Sequence, residues 1–227
     1  MTNSKYDLKK VIKPWGSEYV IFRDSNKISI TFLNIKKNKK TSFHCHPNKK
    51  TGFILLSGSA IIRLGLEKND EIRLKSNSKL MIRPGLFHSI KSTSNNLNLL
   101  EFETPADKRN LVRLYDNYGR INKPYENSKK NFKDLNNEDI IFKKPKNKNI
   151  NYYKICQKKI SLEYHSNFKI LKKRLSSEIY AVLNGHVSDN FGNKVLTIGD
   201  IVKNVTLKKL SKAFKINKHL LLLRLIS

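Results

Sequence analysis

Nine short β-prone segments succeed one another between residues 18 and 103, and this pattern most constrains the fold. Each segment is rich in Val, Ile, Leu, Phe or Thr, or alternates apolar with polar residues, and turn residues such as Asn, Ser and Gly separate it from the next. The predicted strands cover residues 18–22, 28–35, 42–46, 52–56, 59–64, 71–74, 79–82, 88–91 and 97–103. Short strands at this spacing predict an all-β barrel or sandwich.

Three histidines in this region have the spacing of a metal site. His44 and His46 lie two apart, so in a strand both point to one face while Cys45 points to the other. The Pro84-Gly85 turn leads into His88, which supplies a third imidazole from a neighbouring strand. Three imidazoles leave coordination positions open for water or substrate. The spacing therefore predicts a divalent metal cofactor, which would be Zn, Mn, Fe, Co or Ni.

The order of these parts resembles the two motifs of the cupin superfamily, H-x-H-x4-E-x6-G followed by P-x-G-x2-H. Thr51 stands where the family usually has its glutamate ligand, and Arg83 where it usually has the first proline of the second motif. The positions that match are His44, His46, Gly58, Gly85 and His88. The resemblance implies a cupin fold, the double-stranded β-helix or jelly-roll barrel.

Flanking segments sharpen the resemblance. The sequence reads K-P-W-G at 13–16, E-Y at 18–19 and L-V-R-L-Y-D-N-Y-G-R at 111–120. These segments resemble the boundaries of the type II mannose-6-phosphate isomerase family of cupins, which also forms the C-terminal half of bifunctional mannose-1-phosphate guanylyltransferases. The similarity covers residues 13–120, and it implies an isomerase of sugar phosphates that serves carbohydrate metabolism or surface-polysaccharide biosynthesis.

A second β unit follows a polar connection. We expect a metal-binding cupin domain over residues 1–121, a Lys- and Asn-rich linker over 122–149, and a degenerate cupin-like domain over 150–227. Within the first domain, residues 107–115 are expected to form a short helix. Counting back from Gly185 by the offsets that separate Gly58 from His44, His46 and Thr51 gives Leu171, Lys173 and Glu178. The equivalent of His88, counted from Gly199-Asp200, falls near Leu210. A repeat without imidazoles is expected to pack against the first domain, cap it or mediate a homodimer.

An aldose–ketose isomerase also needs a proton-transfer group and cations for the phosphate. Glu101 and Glu103 share a face of one predicted strand, and one of them is the candidate general base; a solvent-facing pair is the alternative interpretation. Arg113 and Arg120 are candidates for substrate binding through the resemblance, and Lys50 through its proximity to the metal loop.

Charge and hydropathy set limits on partners. The formal net charge is +28 in 227 residues, but 37 Lys, 26 Asn and 23 Ile follow A/T-rich codon usage, and the lysines are spread along the chain. We therefore expect no nucleic-acid partner and infer that the positive field favours a sugar phosphate or nucleotide sugar. The two cysteines form no disulfide framework, and no 18-residue apolar run is present, so we expect a cytoplasmic protein without a membrane partner.

Two other functions stay open at this point. A three-histidine site without a carboxylate, as Thr51 implies, fits a non-haem Fe(II) dioxygenase. A repeat that has lost its imidazoles fits a non-catalytic sugar-binding or regulatory cupin.

Overall fold

The computed structural model of this chain describes residues 8–67, 70–121, 131–146 and 149–226. These residues separate into two compact units, Met1–Ile141 and Phe142–Ser227. Both units consist mostly of antiparallel strands. No helix in the described ranges is long and apolar enough to cross a membrane.

The first unit contains twelve strands in its described part. In chain order they are β1 (Lys9–Lys13), β2 (Gly16–Asp24), β3 (Ile28–Lys36), β4 (Phe43–Cys45), β5 (Lys50–Ser57), β6 (Ser59–Leu64), β7 (Glu71–Lys75), β8 (Lys79–Ile82), β9 (His88–Ser92), β10 (Asn96–Thr104), β11 (Val112–Tyr115) and β12 (Phe132–Asp134). All nine strands predicted from the sequence are present, with ends that differ by at most two residues. The alternation of apolar and polar residues and the turn residues are local signals, and they were sufficient to predict these strands.

The strands form two sheets with the core between them. The larger sheet has the order β12-β1-β2-β3-β10-β5-β8, and the smaller has the order β11-β4-β9-β6-β7. Apolar side chains from both sheets form one buried cluster, which includes Leu33 and Phe53 from the larger sheet and Ile62 and Ile90 from the smaller. Trp15 is 4% exposed and belongs to this cluster, so it is a packing residue.

Gly58 connects β5 to β6 at a point where no other residue fits. Its φ is +82°, and a Cβ atom would lie 2.5 Å from the carbonyl oxygen of Asn96 and 2.4 Å from Oγ of Ser94. Both the left-handed backbone and the close approach require glycine. The turn allows β5 and β6 to enter different sheets.

The second unit has its own sheet and core. Its elements are β13 (Asn151–Ile155), β14 (Lys158–His165), α1 (Lys169–Lys173), β15 (Ile179–Ser188), β16 (Lys194–Leu196), β17 (Ile201–Lys203), α2 (Asn204–Leu210) and β18 (Lys215–Ile226). The strand order is β13-β14-β18-β15-β16, and β17 also pairs with β15. Leu171 of α1 and Leu207 of α2 pack with Tyr180, Leu220 and Leu222 of the sheet.

Two predicted segments differ from the structure. The helix expected at 107–115 was wrong, because Val112–Tyr115 is strand β11, paired with β4. Within the segment expected as a linker, residues 122–130 and 147–148 lie outside the described residues, but Phe132–Asp134 is strand β12, paired with β1. Both segments are strands because each pairs with another strand of the first unit. A local sequence pattern does not reveal such a partner.

Candidate metal centre

His44, His46 and His88 lie together, as their spacing predicts. His44 lies in β4 and pairs directly with His88 in β9, while His46 follows the end of β4. One ring nitrogen from each lies within 4.8 Å of the others, and the ring centroids are 4.5 to 5.6 Å apart. All three side chains are buried. The cluster has the donor set and the proximity that a metal ion requires.

The other nitrogen of each ring is engaged in a hydrogen bond. Nδ1 of His44 donates to the carbonyl oxygen of Ser42 at 2.8 Å, and Nδ1 of His88 donates to that of Leu86 at 3.0 Å. Nδ1 of His46 donates to the carbonyl oxygen of Asn110 at 2.7 Å. Because each Nδ1 carries the proton, the lone pair of each ring is on Nε2.

The Nε2 atoms of His46 and His88 are buried and have no hydrogen-bond partner among the residues that the structure describes. Such atoms cost free energy unless a ligand satisfies them. Burial, together with the fields of the other two rings, lowers the pKa of His44 well below its ordinary value. Burial also lowers the pKa of His46 and of His88 to about 4. Neutral imidazoles with available lone pairs fit a divalent cation, so these residues would hold one.

Glu101 and Glu103 of β10 are both buried beside this cluster, which rejects the alternative of a solvent-facing pair. Burial and the nearby charge of Glu103 raise the pKa of Glu101 to about 8. Burial alone would raise the pKa of Glu103 as well, but Lys108 and Lys49 hold it well below its ordinary value. The two carboxyls therefore differ: Glu101 holds its proton up to mildly basic pH, and Glu103 is ionised.

Both oxygens of Glu103 are occupied. Nζ of Lys49 lies 2.6 Å from Oε1, and Nζ of Lys108 lies 2.9 Å from Oε2, which also accepts a hydrogen bond from Ser29 at 3.3 Å. The side chain of Lys49 is only 1% exposed. The ammonium group of Lys49 is therefore committed to this buried ion pair.

A cleft opens next to the histidines. His44, His46, Glu101 and Glu103 line it, together with cations. Both arginines proposed from the sequence line the cleft; Arg113 pairs with His44 across β11 and β4, and Arg120 forms an ion pair with Asp116 at 2.7 Å. Lys50 is half-buried in β5 and is not among the lining residues.

Sequence reasoning missed three charged residues of the cleft. They are Lys13, Glu18 and Lys108. Nζ of Lys13 lies 3.5 Å from the carboxylate of Glu18, and both side chains are buried. A lone carboxylate within the apolar run of β2 was an available signal for Glu18. Lys108 lies in an irregular segment, and nothing in the local sequence distinguishes it from the many other lysines.

Thr51 lies in β5 and is 1% exposed. Its hydroxyl oxygen is buried, and no atom in the described part of the chain forms a hydrogen bond with it. A hydroxyl is shorter than a carboxylate and carries no charge, so the described donor set is three imidazoles without a carboxylate.

Comparison with known proteins identifies the family. The model of the family described as mannose-6-phosphate isomerase C-terminal matches residues 2–116, about half of the chain. None of the curated proteins matches the chain.

Solved structures with a related fold share little sequence. CapF, solved with the inhibitor 3-isopropenyl-tropolone, is 15% identical over 47% of this chain and 34% of its own, with a TM-score of 0.43. A double-stranded β-helix protein from Klebsiella pneumoniae is 14% identical over 51% of this chain and 86% of its own, with a TM-score of 0.40. A protein provisionally described as a sugar phosphate isomerase, from Acidithiobacillus ferrooxidans, is 20% identical over 36% of this chain and 52% of its own, with a TM-score of 0.32.

The chain spans about a third of the length of CapF. The family match covers the three histidines and every residue that lines the cleft except Arg120. The two-sheet barrel, the histidine cluster and the family match agree, and the chain belongs to the mannose-6-phosphate isomerase C-terminal family of cupins.

Proposed function

We propose that the first unit is a metal-dependent aldose–ketose isomerase that acts on a sugar phosphate, with mannose 6-phosphate and fructose 6-phosphate as the first pair to test. The observation that carries the proposal is a cluster of three neutral imidazoles, two of which line a cleft that also holds a carboxyl of raised pKa and several cations. We propose surface-polysaccharide precursor metabolism as its setting.

The reaction moves a proton between C1 and C2 of the sugar, and Glu101 is the group suited to move it. A base works best when its pKa lies near the working pH, and the pKa of Glu101 is raised to about 8. Glu103 is a poor candidate because two lysines already bind its oxygens. A divalent cation on His44, His46 and His88 would act as a Lewis acid toward the sugar oxygens.

The cations of the cleft suit the phosphate group. Arg113 and Arg120 offer planar guanidinium groups, which recognise phosphate oxygens in pairs. Lys13 adds a further positive charge in the same cleft. Asp116 holds Arg120 through the ion pair, so its guanidinium is already oriented before a substrate arrives. Binding at this end would leave the sugar carbons to Glu101 and the histidines.

The test is a coupled assay of mannose 6-phosphate and fructose 6-phosphate interconversion. Untagged protein is assayed after EDTA treatment and again with Zn, Mn, Co or Fe added in turn. We expect turnover that requires a metal, that disappears in His44→Ala and that survives in His219→Ala, a matched substitution of an exposed histidine in the second unit. Saturable sugar-phosphate binding without turnover would instead support a non-catalytic sugar-binding cupin.

A second candidate rests on Thr51. Three imidazoles without a carboxylate ligand also suit non-haem Fe(II) dioxygenase chemistry, and Thr51 leaves the donor set in that state. Bound iron together with oxygen consumption, in protein that has no isomerase activity with any metal, would favour this candidate over the isomerase.

The second unit is proposed to be a cupin-like repeat without a metal site. β18 lies between β14 and β15, as β10 lies between β3 and β5 in the first unit. Gly185 has the same φ of +82° as Gly58, and a Cβ there would lie 2.1 Å from a backbone oxygen of the neighbouring strand. At the positions that correspond to ligands by offset, Leu171 and Lys173 lie in α1, which removes them from any strand face.

A further inference from the structure

His46 differs from the other two histidines in how its ring is held. His44 and His88 each donate from Nδ1 to the carbonyl oxygen two residues earlier in the chain, so local backbone geometry orients those rings. His46 donates to the carbonyl oxygen of Asn110, which is 64 residues away in the sequence. The orientation of His46 therefore depends on where the fold places the segment 107–110.

Two sets of contacts hold that segment in place. Nζ of Lys108 lies 2.9 Å from Oε2 of Glu103 and donates to the hydroxyl of Thr31 at 3.1 Å. The side-chain oxygen of Asn110 accepts a hydrogen bond from the backbone N–H of Asn48 at 3.0 Å. The first set ties the segment to the larger sheet, and the second ties it to the loop that follows His46.

The same carboxylate also holds the loop after His46. Oε1 of Glu103 binds Nζ of Lys49 at 2.6 Å, and the backbone N–H of Lys49 donates to the carbonyl oxygen of His46 at 3.5 Å. Glu103 thus joins the loop that carries the histidine to the segment that carries its hydrogen-bond acceptor. The side chains of Lys49, Glu103 and Lys108 are 1%, 3% and 11% exposed.

Stability alone is a weak reason for such a cluster. Removing three charges from water is costly, and apolar residues of similar size often stabilise a protein as well or better. What buried ion pairs provide is a fixed geometry, because each charge accepts few arrangements of its partners. The His46 ring needs that fixed geometry, because the carbonyl oxygen that accepts its hydrogen bond lies on another segment.

We propose that Lys49, Glu103 and Lys108 form a clamp whose role is to position the His46 ring for a metal ion. The inference rests on the proposed metal centre, and it assigns Glu103 to positioning rather than to proton transfer. It predicts that breaking the clamp changes metal binding although none of its three side chains is a ligand.

The test is the affinity for Co²⁺ of the full-length Lys108→Met variant, measured by titration of the cobalt visible absorption bands. Loss of a nearby positive charge by itself would strengthen the binding of a cation. A clamp predicts the opposite sign: affinity weaker by roughly 10-fold or more, with altered bands, as substitutions of groups that orient metal ligands usually give. Lys108→Arg keeps the charge and is expected to restore most of the affinity.

Lys10→Met is the matched control, because Lys10 forms an ion pair with Asp139 at 2.7 Å elsewhere in the same unit. It is expected to leave cobalt affinity unchanged. Affinity in Lys108→Met that equals or exceeds that of the wild type would overturn the clamp. If Lys108→Met does not fold, Lys49→Met breaks the other ion pair of the clamp, and cobalt affinity equal to that of the wild type in this variant would likewise overturn the proposal.

A metal-free measurement separates this inference from the proposed function. In ¹⁵N spectra of the imidazoles, wild-type His46 should show a single tautomer protonated on Nδ1, and Lys108→Met should show a mixture of tautomers. If the wild type binds no cobalt, the proposed function fails. The tautomer of His46 still tests the clamp in that case. If Lys108→Met shows the same single tautomer as the wild type, the proposal of a clamp is refuted.

Discussion

Replacement of Glu101 by Gln should make the protein more stable at mildly basic pH and abolish isomerase turnover. Gln has nearly the same shape but cannot ionise, so the substitution removes one titrating group from the cleft and little else. The side chain is 9% exposed and borders the cleft, which leaves the new amide close to water.

The size of the effect follows from the pKa. A glutamate in an unfolded chain titrates near 4.5, whereas burial and Glu103 raise the pKa of Glu101 to about 8. Each unit corresponds to roughly 1.4 kcal/mol, so the largest penalty is about 5 kcal/mol. Because the folded state holds this proton more tightly, the contribution of Glu101 to stability is fully present below about pH 4.5 and is lost as pH rises through about 8.

The assay is urea unfolding of metal-free wild type and Glu101→Gln at several pH values. Between about pH 5 and about pH 8, the free energy of unfolding of the wild type should fall by roughly 3 kcal/mol relative to the variant. The lowered pKa values of His44, His46 and His88 are common to both proteins, so their contribution to the pH dependence cancels in the difference. A difference that does not change with pH would refute the reasoning, and turnover retained by the variant would refute Glu101 as the base.

Three further outcomes are expected. His88→Ala should abolish stoichiometric Zn²⁺ binding, measured by equilibrium dialysis, because two imidazoles remain. Gly58→Ala should lower the free energy of unfolding in urea by roughly 1–3 kcal/mol or more, because its φ of +82° and the oxygen of Asn96 at 2.5 Å both oppose a Cβ. Thr51→Glu buries a carboxylate, so without metal the melting temperature of the variant should be below that of the wild type. Addition of Zn²⁺ should raise the melting temperature of the variant more than that of the wild type.

The sequence predicted strands better than it predicted the segment after them. Residues 59–64 and 79–82 were predicted with the ends that the structure shows, because alternation and turn residues are local signals. In residues 107–115, apolar positions at 111, 112, 114 and 115 fit a short helix as well as a strand. Val112–Tyr115 is a strand because it pairs with the backbone of β4. A pattern of nine residues carries no information about a partner strand that lies 67 to 72 residues earlier.

The candidate site also contains residues that the sequence could predict and residues that it could not. His44, His46 and His88 could be predicted because a strand period and a turn motif place them, and the family resemblance supported that prediction. Lys108 and the carbonyl oxygen of Asn110 could not be predicted. Their roles depend on distances of 2.9 and 2.7 Å to groups that only the folded chain brings near.

Thr51 changes the charge balance of the whole cleft. A divalent cation held by three neutral imidazoles keeps its full formal charge, whereas the glutamate that the family usually has at this position would cancel part of it. Glu103 is already neutralised by two buried lysines, so the ionisation of Glu101 is what responds to that charge. Opposite charges favour each other at short range, and the coupling is reciprocal: the cation promotes ionisation of Glu101, and ionised Glu101 promotes binding of the cation. In the proposed isomerase, threonine at position 51 would therefore leave Glu101, rather than a ligand, as the negative counterpart of the bound cation.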